Sequence, residues 1–233
     1  MENTSGFKFF IFSPREMNPQ LTPLVKETYE MWRDVWLSAL GELDGATDLK
    51  SDDYTRQEQV GALLYDNEVV GSVFFTRVDL SEPMFRKDSY FAAWPEETML
   101  DWGTKRPGFQ LMVCSWFTLS PKMRRNATGI SAKQLLTSLS TEHMLQTEGC
   151  SGMLGTMRNN RGMNTVTYNV HATPILTDLQ MHGVGVDLVI FDKETIQNAP
   201  TGALMPEARE IYSRSQELLT EIARSKNDLK IAA

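Results

Sequence analysis

The sequence is poor in cysteine, with only Cys114 and Cys150 among 233 residues. Two cysteines exclude a disulfide framework and any four-cysteine zinc module. Three histidines, His143, His171 and His182, leave little for a histidine cage, so no metal site is expected. Basic residues are outnumbered, 23 Lys+Arg against 30 Asp+Glu, for a net charge of −7. A nucleic-acid partner is excluded on this balance, because neutralising phosphates needs a cationic surplus. No apolar run approaches the roughly 18 residues of a membrane span. The segment MENTSGFKFFIFSP places Glu2 ahead of a very short apolar run with no small-residue cleavage site, a poor secretory signal. A reduced, cytoplasmic protein is the expectation. Repeats and low-complexity tracts are also lacking.

What is present is ordinary globular composition, 41% hydrophobic and 23% charged. At about 150 residues per domain the length allows one large domain or two small ones. FKFFIF (7–12) reads as a strand closed by Ser13-Pro14. Thr22-Pro23 then opens a helix whose face carries Val25, Tyr29, Trp32, Trp36 and Leu40, ending at Gly41. Residues 42–57 are acidic and read as a loop. QVGALLY and VVGSVFF flank Asp66-Asn67-Glu68 and predict a β-hairpin. Residues 79–108 mix Pro and Gly with five large aromatics and read as an irregular lid or pocket wall. FQLMVCSWFTL (109–119) is a buried strand. Residues 130–149 are a helix stopped by Gly149, with His143 on its exposed side. GMLGTM (152–157) and DLVIFDK (187–193) are strands, with a weak helix over 160–171 between them. Pro206 opens a last helix with Ala208, Ile211, Ser215, Leu218 and Ile222 on one face. Hairpins and crossovers in one chain predict an α/β (α+β) protein, a mixed sheet with helices on both faces.

The most informative junction is LSPKMRRNATG (119–129), a basic, small-residue loop that opens a helix. Free backbone N–H groups, a positive dipole end and Lys122, Arg124 and Arg125 together suit a phosphate or pyrophosphate. A solvated basic loop that merely caps the helix is the plainer alternative.

This loop after the fourth strand, in this order of elements, resembles the GNAT superfamily of acyl-CoA-dependent N-acyltransferases. Arg124-Arg125-Asn126-Ala127-Thr128-Gly129 matches the superfamily's R/Q-x-x-G-x-G/A phosphate loop, with Ala127 in place of the first glycine. LLYDNEVVGSVFF is similar to its second and third strands, and DLVIFDK to its last. YEMWRDVWLSALGELDGATDLKSDDY (29–54) resembles the acyl-homoserine-lactone synthases and N-acyl amino acid synthases of the same fold. The resemblance implies a GNAT-like acyltransferase domain over 1–200 and a C-terminal helical extension over 201–233. It implies acyl transfer from acyl-CoA, or from the acyl-phosphopantetheine of acyl carrier protein, to a small-molecule amine such as an amino acid. Backbone around Val113, Cys114 and Trp116 would polarise the thioester, and Lys122, Arg124, Arg125, Ala127 and Gly129 would hold its phosphates. Tyr168, in TYNVHAT, matches the tyrosine that protonates the leaving thiolate, with His171 one helical turn away to tune it. Ser115 matches the serine of the synthases' Glu-x-Ser-Arg element, whose glutamate and arginine are absent here. Glu58 is the candidate general base. Arg33, Trp36, Asp44 and Asp48 are the counterparts of the synthases' substrate-side residues, and Trp94 and Trp102 would wall an acyl pocket. The 13 methionines fit either such a pocket or plain core filling. Monomer and homodimer both stay open. An acetyl-CoA-dependent acetyltransferase and a degenerate GNAT-fold binding protein are the alternatives.

Overall fold

The computed structural model describes residues 4–16, 19–123, 129–181 and 183–231, with the backbone alone from 221 onward. Seven strands form one sheet: β1 (Phe7–Phe12), β2 (Gln59–Tyr65), β3 (Glu68–Val78), β4 (Leu111–Leu119), β5 (Gly152–Arg158), β6 (Thr173–Met181) and β7 (Val184–Asp192). Their order is β1-β2-β3-β4-β5-β7-β6. Only β4 and β5 run parallel, joined by helix α5 (Ala132–Gln146); every other pairing is antiparallel. The fourth and fifth strands are thus the one place where a crossover helix must cover the sheet.

Period-two alternation sorts the side chains. Phe74, Val78, Leu111 and Val113 face one side; Val73, Phe75, Met112 and Cys114 face the other. On the first side, α1 (Thr22–Asp44) and α2 (Asp52–Thr55) lay Trp32 and Tyr54 on Phe10, Val60 and Phe74. Farther along that side, α3 (Pro83–Arg86) and α4 (Glu96–Lys105) belong to the insert, whose Trp94 and Met99 pack on Leu154, Leu188 and Ile190. On the second side, α5 is buried over almost its whole length. It lies beneath α6 (Met163–Tyr168) and α8 (Met205–Ile231), while α7 (Lys193–Asn198) follows β7. Its hydroxyls are satisfied: Thr137, Ser140 and Thr141 donate to carbonyls one turn back, and Ser138 donates across to Ala203 O.

Several expectations need correcting. The stretch 42–57 is not all loop, since α1 runs to Asp44 and α2 follows. The insert is helical: charged residues around Leu100 and Trp102 carry α4 despite Gly103. That glycine is a close-approach position, because a Cβ there would drive into the Leu80 carbonyl. Gly103→Ala should therefore cost about 2 kcal/mol in chemical denaturation, even though alanine is the better helix former. The hairpin turn has two residues, Asp66 and Asn67, both at positive φ (50° and 67°), as the tight right-twisting turn requires. Sequence pattern assigns no element to 173–181, where β6 lies. It is an exposed edge strand with two register shifts, Pro174 and a positive φ at Asp178, so it carries no alternating pattern to find.

The other sheet edge is covered. β1 gives its Phe9 N–H to Ser215 Oγ (2.9 Å) and its Phe7 carbonyl to Arg214 (2.8 Å), both on α8. Ala208, Ile211 and Ser215 are fully buried there. The first half of α8 therefore docks on its own domain. Among the described residues no helix is long and apolar enough to cross a membrane.

Candidate active site

β4 and β5 pair only from Leu111–Gly152 to Cys114–Gly155. Beyond Cys114 the two strands part. Against β3 the register also shifts: Phe74 pairs with Ser115 and Ser72 with Thr118, so Trp116 and Phe117 bulge out. Trp116 sits at φ 51°, a conformation a bulky residue adopts only when its surroundings force it. The force is visible. Its indole lies edge-on between Trp32 (5.4 Å) and Trp36 (4.9 Å) of α1. Trp36 Nε1 donates to Thr118 Oγ1 (2.8 Å), which donates to the Trp116 carbonyl (2.6 Å). From Ser115 to Leu119 the β5-facing backbone of β4 has no strand partner.

A cavity of about 670 Å³ occupies this gap, within the range of small-molecule sites. Its lining comes from both sides of the sheet. Trp36, Ala39 and Glu42 belong to α1; Phe117 and Leu119 to the parted end of β4; Met123, Ser131 and Lys133 to the entry of α5. Arg158, which ends β5, Arg161 and Met163 complete it. Three cations from three elements therefore converge at the start of a fifteen-residue helix. Ser131 caps that helix by accepting from Gln134 N (3.3 Å), which leaves the amides of Ala132 and Lys133, unpairable within a helix, at the cavity. Lys133 Nζ donates to the carbonyl of Arg161 (2.8 Å), fixing the 3₁₀ turn Asn159–Arg161 against α5. Arg158 Nε is buried without a protein partner. Burial and the charge of Arg161 lower its pKa, and Glu42 opposes them. An orphaned, partly buried guanidinium donor beside two further cations is suited to a phosphorylated arm.

The expected residues fall in several places. Trp36 lines the cavity, Trp116 lies in the bulge beside it, and Ser115 pairs with Phe74 just before that bulge. Arg33 and Asp48 face each other at 3.6 Å on the exposed side of α1. Asp44 ends that helix, two residues past Glu42. Lys122 pairs with Glu68 (3.3 Å) on the surface, while its neighbours Pro121 and Met123 line the cavity. Gly129 has φ 78°, which explains a glycine there. Arg124, Arg125 and Ala127 lie outside the described residues, as does His182. Val113 points to the insert side, where Trp94 is buried and Trp102 carries Arg106 over its ring at 3.9 Å; neither tryptophan borders the cavity. Glu58 precedes the row Gln59–Phe75–Cys114 and so stands on the closed side of the gap, accepting from Arg77 N at 2.7 Å. The carboxylates that do border the cavity are Asp34 and Glu42.

Tyr168 and His171 do not meet. His171 turns to the Pro200 carbonyl (2.8 Å), whereas the Tyr168 hydroxyl donates to Asp187 Oδ2 at 2.5 Å. Asp187, 3% exposed on β7, also accepts from Asn164 (3.0 Å), Asn159 (2.9 Å) and the amide of Asp178 (3.0 Å). Burial opposes its charge, but the Tyr168 hydroxyl and the other donors win and hold its pKa below the usual range. Burial first, then the hydrogen bond to Asp187, push the Tyr168 phenol up. Cys114 is buried and its thiol pushed up to about 12 by desolvation; Cys150 is raised by the same cause. Both should stay silent to a thiol reagent such as DTNB at pH 8 in the native protein and react once it is unfolded.

Lys133, Arg158 and Arg161 escaped sequence reading. The signal was present as Arg-Asn-Asn-Arg directly after a strand and Lys at the second position of a helix. Nothing local ties the two together. Among the described residues no group of three or more His, Cys, Asp or Glu is placed to hold a metal.

No protein-family model matches the sequence, and no curated protein does either. Solved structures do match in fold. One is FeeM, an N-acyl amino acid synthase from uncultured soil microbes, at 11% identity and TM-score 0.57, over 85% of this chain and 95% of that one. Another is BjaI, a CoA-dependent acyl-homoserine lactone synthase solved with SAM and isopentyl-CoA, at 14% identity and TM-score 0.54, over 82% and 87%. A third is the AHL synthase LasI, at 11% identity and TM-score 0.54, over 80% and 90%. The chain has the GNAT-like fold, a mixed seven-stranded sheet with helices on both faces and a C-terminal helix.

Proposed function

We propose that this protein is an N-acyltransferase that takes an acyl group from a phosphopantetheine thioester, of CoA or of acyl carrier protein, to the amino group of a small molecule. The observation that carries the reading is the cavity through the β4/β5 gap, with unpaired strand backbone on one wall and Lys133, Arg158 and Arg161 at the helix entry. The donor supplies an activated acyl carbonyl and a thiolate leaving group. The three cations and the first amides of α5 hold the phosphorylated end of its arm. The unpartnered β4 backbone past the Trp116 bulge pairs with the arm and donates to the carbonyl oxygen as charge develops there. Asp34 or Glu42, at the α1 wall, accepts the amine's proton, directly or through a water. Phe117, Leu119, Met123 and Met163 give the cavity an apolar part for the chain. A thiolate with a pKa of about 8.5 can leave without an acid, so Tyr168 need not give up its proton.

The Tyr168–Asp187 contact favours one second reading, binding without turnover. Were Tyr168 the obligatory acid, deprotonating it would set a phenolate against the Asp187 carboxylate, which a dry site opposes.

The test is to incubate the protein with acetyl- to long-chain acyl-CoA and acyl carrier protein thioesters plus a pool of amino acids. Free thiol and N-acyl product, the latter by mass spectrometry, are then measured. Amine-dependent thiol release is the expected result. Stabilisation by CoA with no thiol release from any donor would establish the binding-only reading. Neither binding nor release would overturn both. A preference for acetyl-CoA over longer donors would identify an acetyltransferase.

A further inference from the structure

β4 and β5 stay paired as far as Cys114 and Gly155, so this row is the closed end of the gap that the cavity occupies. The open end carries the cations, since Arg158 ends β5 and Lys133 stands at the start of α5. A donor held there by its phosphates lays its acyl group toward the closed end. From Arg158 back to Gly155 is about 10 Å of strand, which an extended phosphopantetheine arm spans.

Gly155 is out of place as a glycine. It is buried inside a strand, paired on both edges, and its φ is not left-handed. Nothing in the backbone calls for it, and a glycine inside a strand weakens the strand. The reason lies two residues on. Met157 faces the same side of the sheet and is 5% exposed. It belongs to the same apolar cluster as Met123, Ala132 and Met163 of the cavity wall. Its backbone stands past the last paired row, on the β5 wall of the gap. Its thioether turns back, however, so that its methyl takes the place where a Cβ on residue 155 would be. The slot it fills lies between Cys114 on β4 and Val189 on β7, whose Cγ2 is 3.7 Å from the same point. Methionine is unbranched, with three rotatable bonds, and repacks readily. The floor of the gap is therefore closed by a movable group, for which Gly155 leaves room.

We propose that Met157 sets the length of the acyl group this site accepts by closing the floor of the gap, and that Gly155 fixes where Met157 stands. This rests on the thioester reading above and adds to it the residues that choose the donor.

Isothermal titration of the full chain with free CoA and with S-(2-oxoalkyl)-CoA thioethers of increasing chain length tests it. These thioethers keep the carbonyl but cannot transfer the chain. In wild type, affinity should rise about fourfold per methylene up to a cut-off length. Met157→Ala empties the slot and should move the cut-off out by about three carbons, with a gain of at least about tenfold at the first length wild type rejects. Gly155→Ala turns the methyl out over the gap and should move the cut-off in. The double variant has no methyl to turn out, so long chains should bind it again. Free CoA should bind all four forms alike. Gly155→Ala displaces only the end of a flexible side chain, so it keeps the fold if Met157→Ala does not. Three results would overturn the assignment and leave the thioester reading intact. They are a wild-type affinity that rises without a cut-off, a cut-off left in place by either folded variant, and a double variant no better than Gly155→Ala. No binding of CoA or of any thioether by wild type would overturn both.

Discussion

Replacing Lys133 by Met and Arg158 by Gln together is expected to weaken CoA binding about 100-fold or more. Each side chain offers a charged donor to the phosphorylated arm, and a hydrogen bond to a charged group contributes about 1.5–3 kcal/mol. Two such losses exceed the roughly 2.7 kcal/mol that corresponds to 100-fold, even with incomplete additivity. Arg158 Nε has no protein partner, so its removal leaves no protein acceptor stranded through that atom. Lys133 does hold the Arg161 carbonyl, and its loss should cost the fold about 1 kcal/mol. The affinity change therefore separates from the stability change when CoA titration and urea denaturation are run on the same variant. The wild-type affinity should also fall with added salt, more steeply than the variant's. Unchanged affinity in the double variant would remove the phosphate role from this cavity.

Asp187→Ala should cost the fold about 4 kcal/mol. The carboxylate receives four donors, from Tyr168, Asn164, Asn159 and the Asp178 amide, and its removal strands all of them in a largely buried place. Tyr168 anchors α6, and Asp178 anchors the exposed strand β6, so the damage spreads to both. The pH dependence follows from the depressed pKa. Unfolded Asp titrates near 3.9. Because the folded carboxyl titrates lower, its contribution is complete above that pH and disappears as pH falls through the folded value. The stability gap between wild type and Asp187→Asn should accordingly narrow below about pH 4 and stay constant from pH 5 to 7. A gap that does not change with pH would mean that Asp187 is not held as the ion.

Much of the sheet was legible because it obeys local rules. The hairpin at Asp66-Asn67 is dictated by two residues that tolerate positive φ between two apolar runs. α1 shows its face through Trp32 and Trp36 at four-residue spacing, and both reach the Trp116 bulge. β6 was illegible because an edge strand open to water needs no apolar alternation. Burial of His143 and Glu142 was illegible for the opposite reason. They sit on a helix that is covered from two sides, and the covering helix, α8, lies some 70 residues away in sequence.

The sequence by itself determined the class of fold, six of the seven strands and the crossover between the fourth and fifth of them, because hydrophobic period, turn residues and caps act over a few residues. By count alone it also excluded a disulfide framework and a four-cysteine zinc module. The tertiary structure decided which charges meet. Lys133, Arg158 and Arg161 come from three elements and converge only once β4 and β5 part. Tyr168 is claimed by Asp187 rather than His171 because β7 runs beneath α6. Whether a hydroxyl is free, a carboxylate paired or a cation aimed at a cavity depends on contacts between distant segments, and no local pattern encodes them.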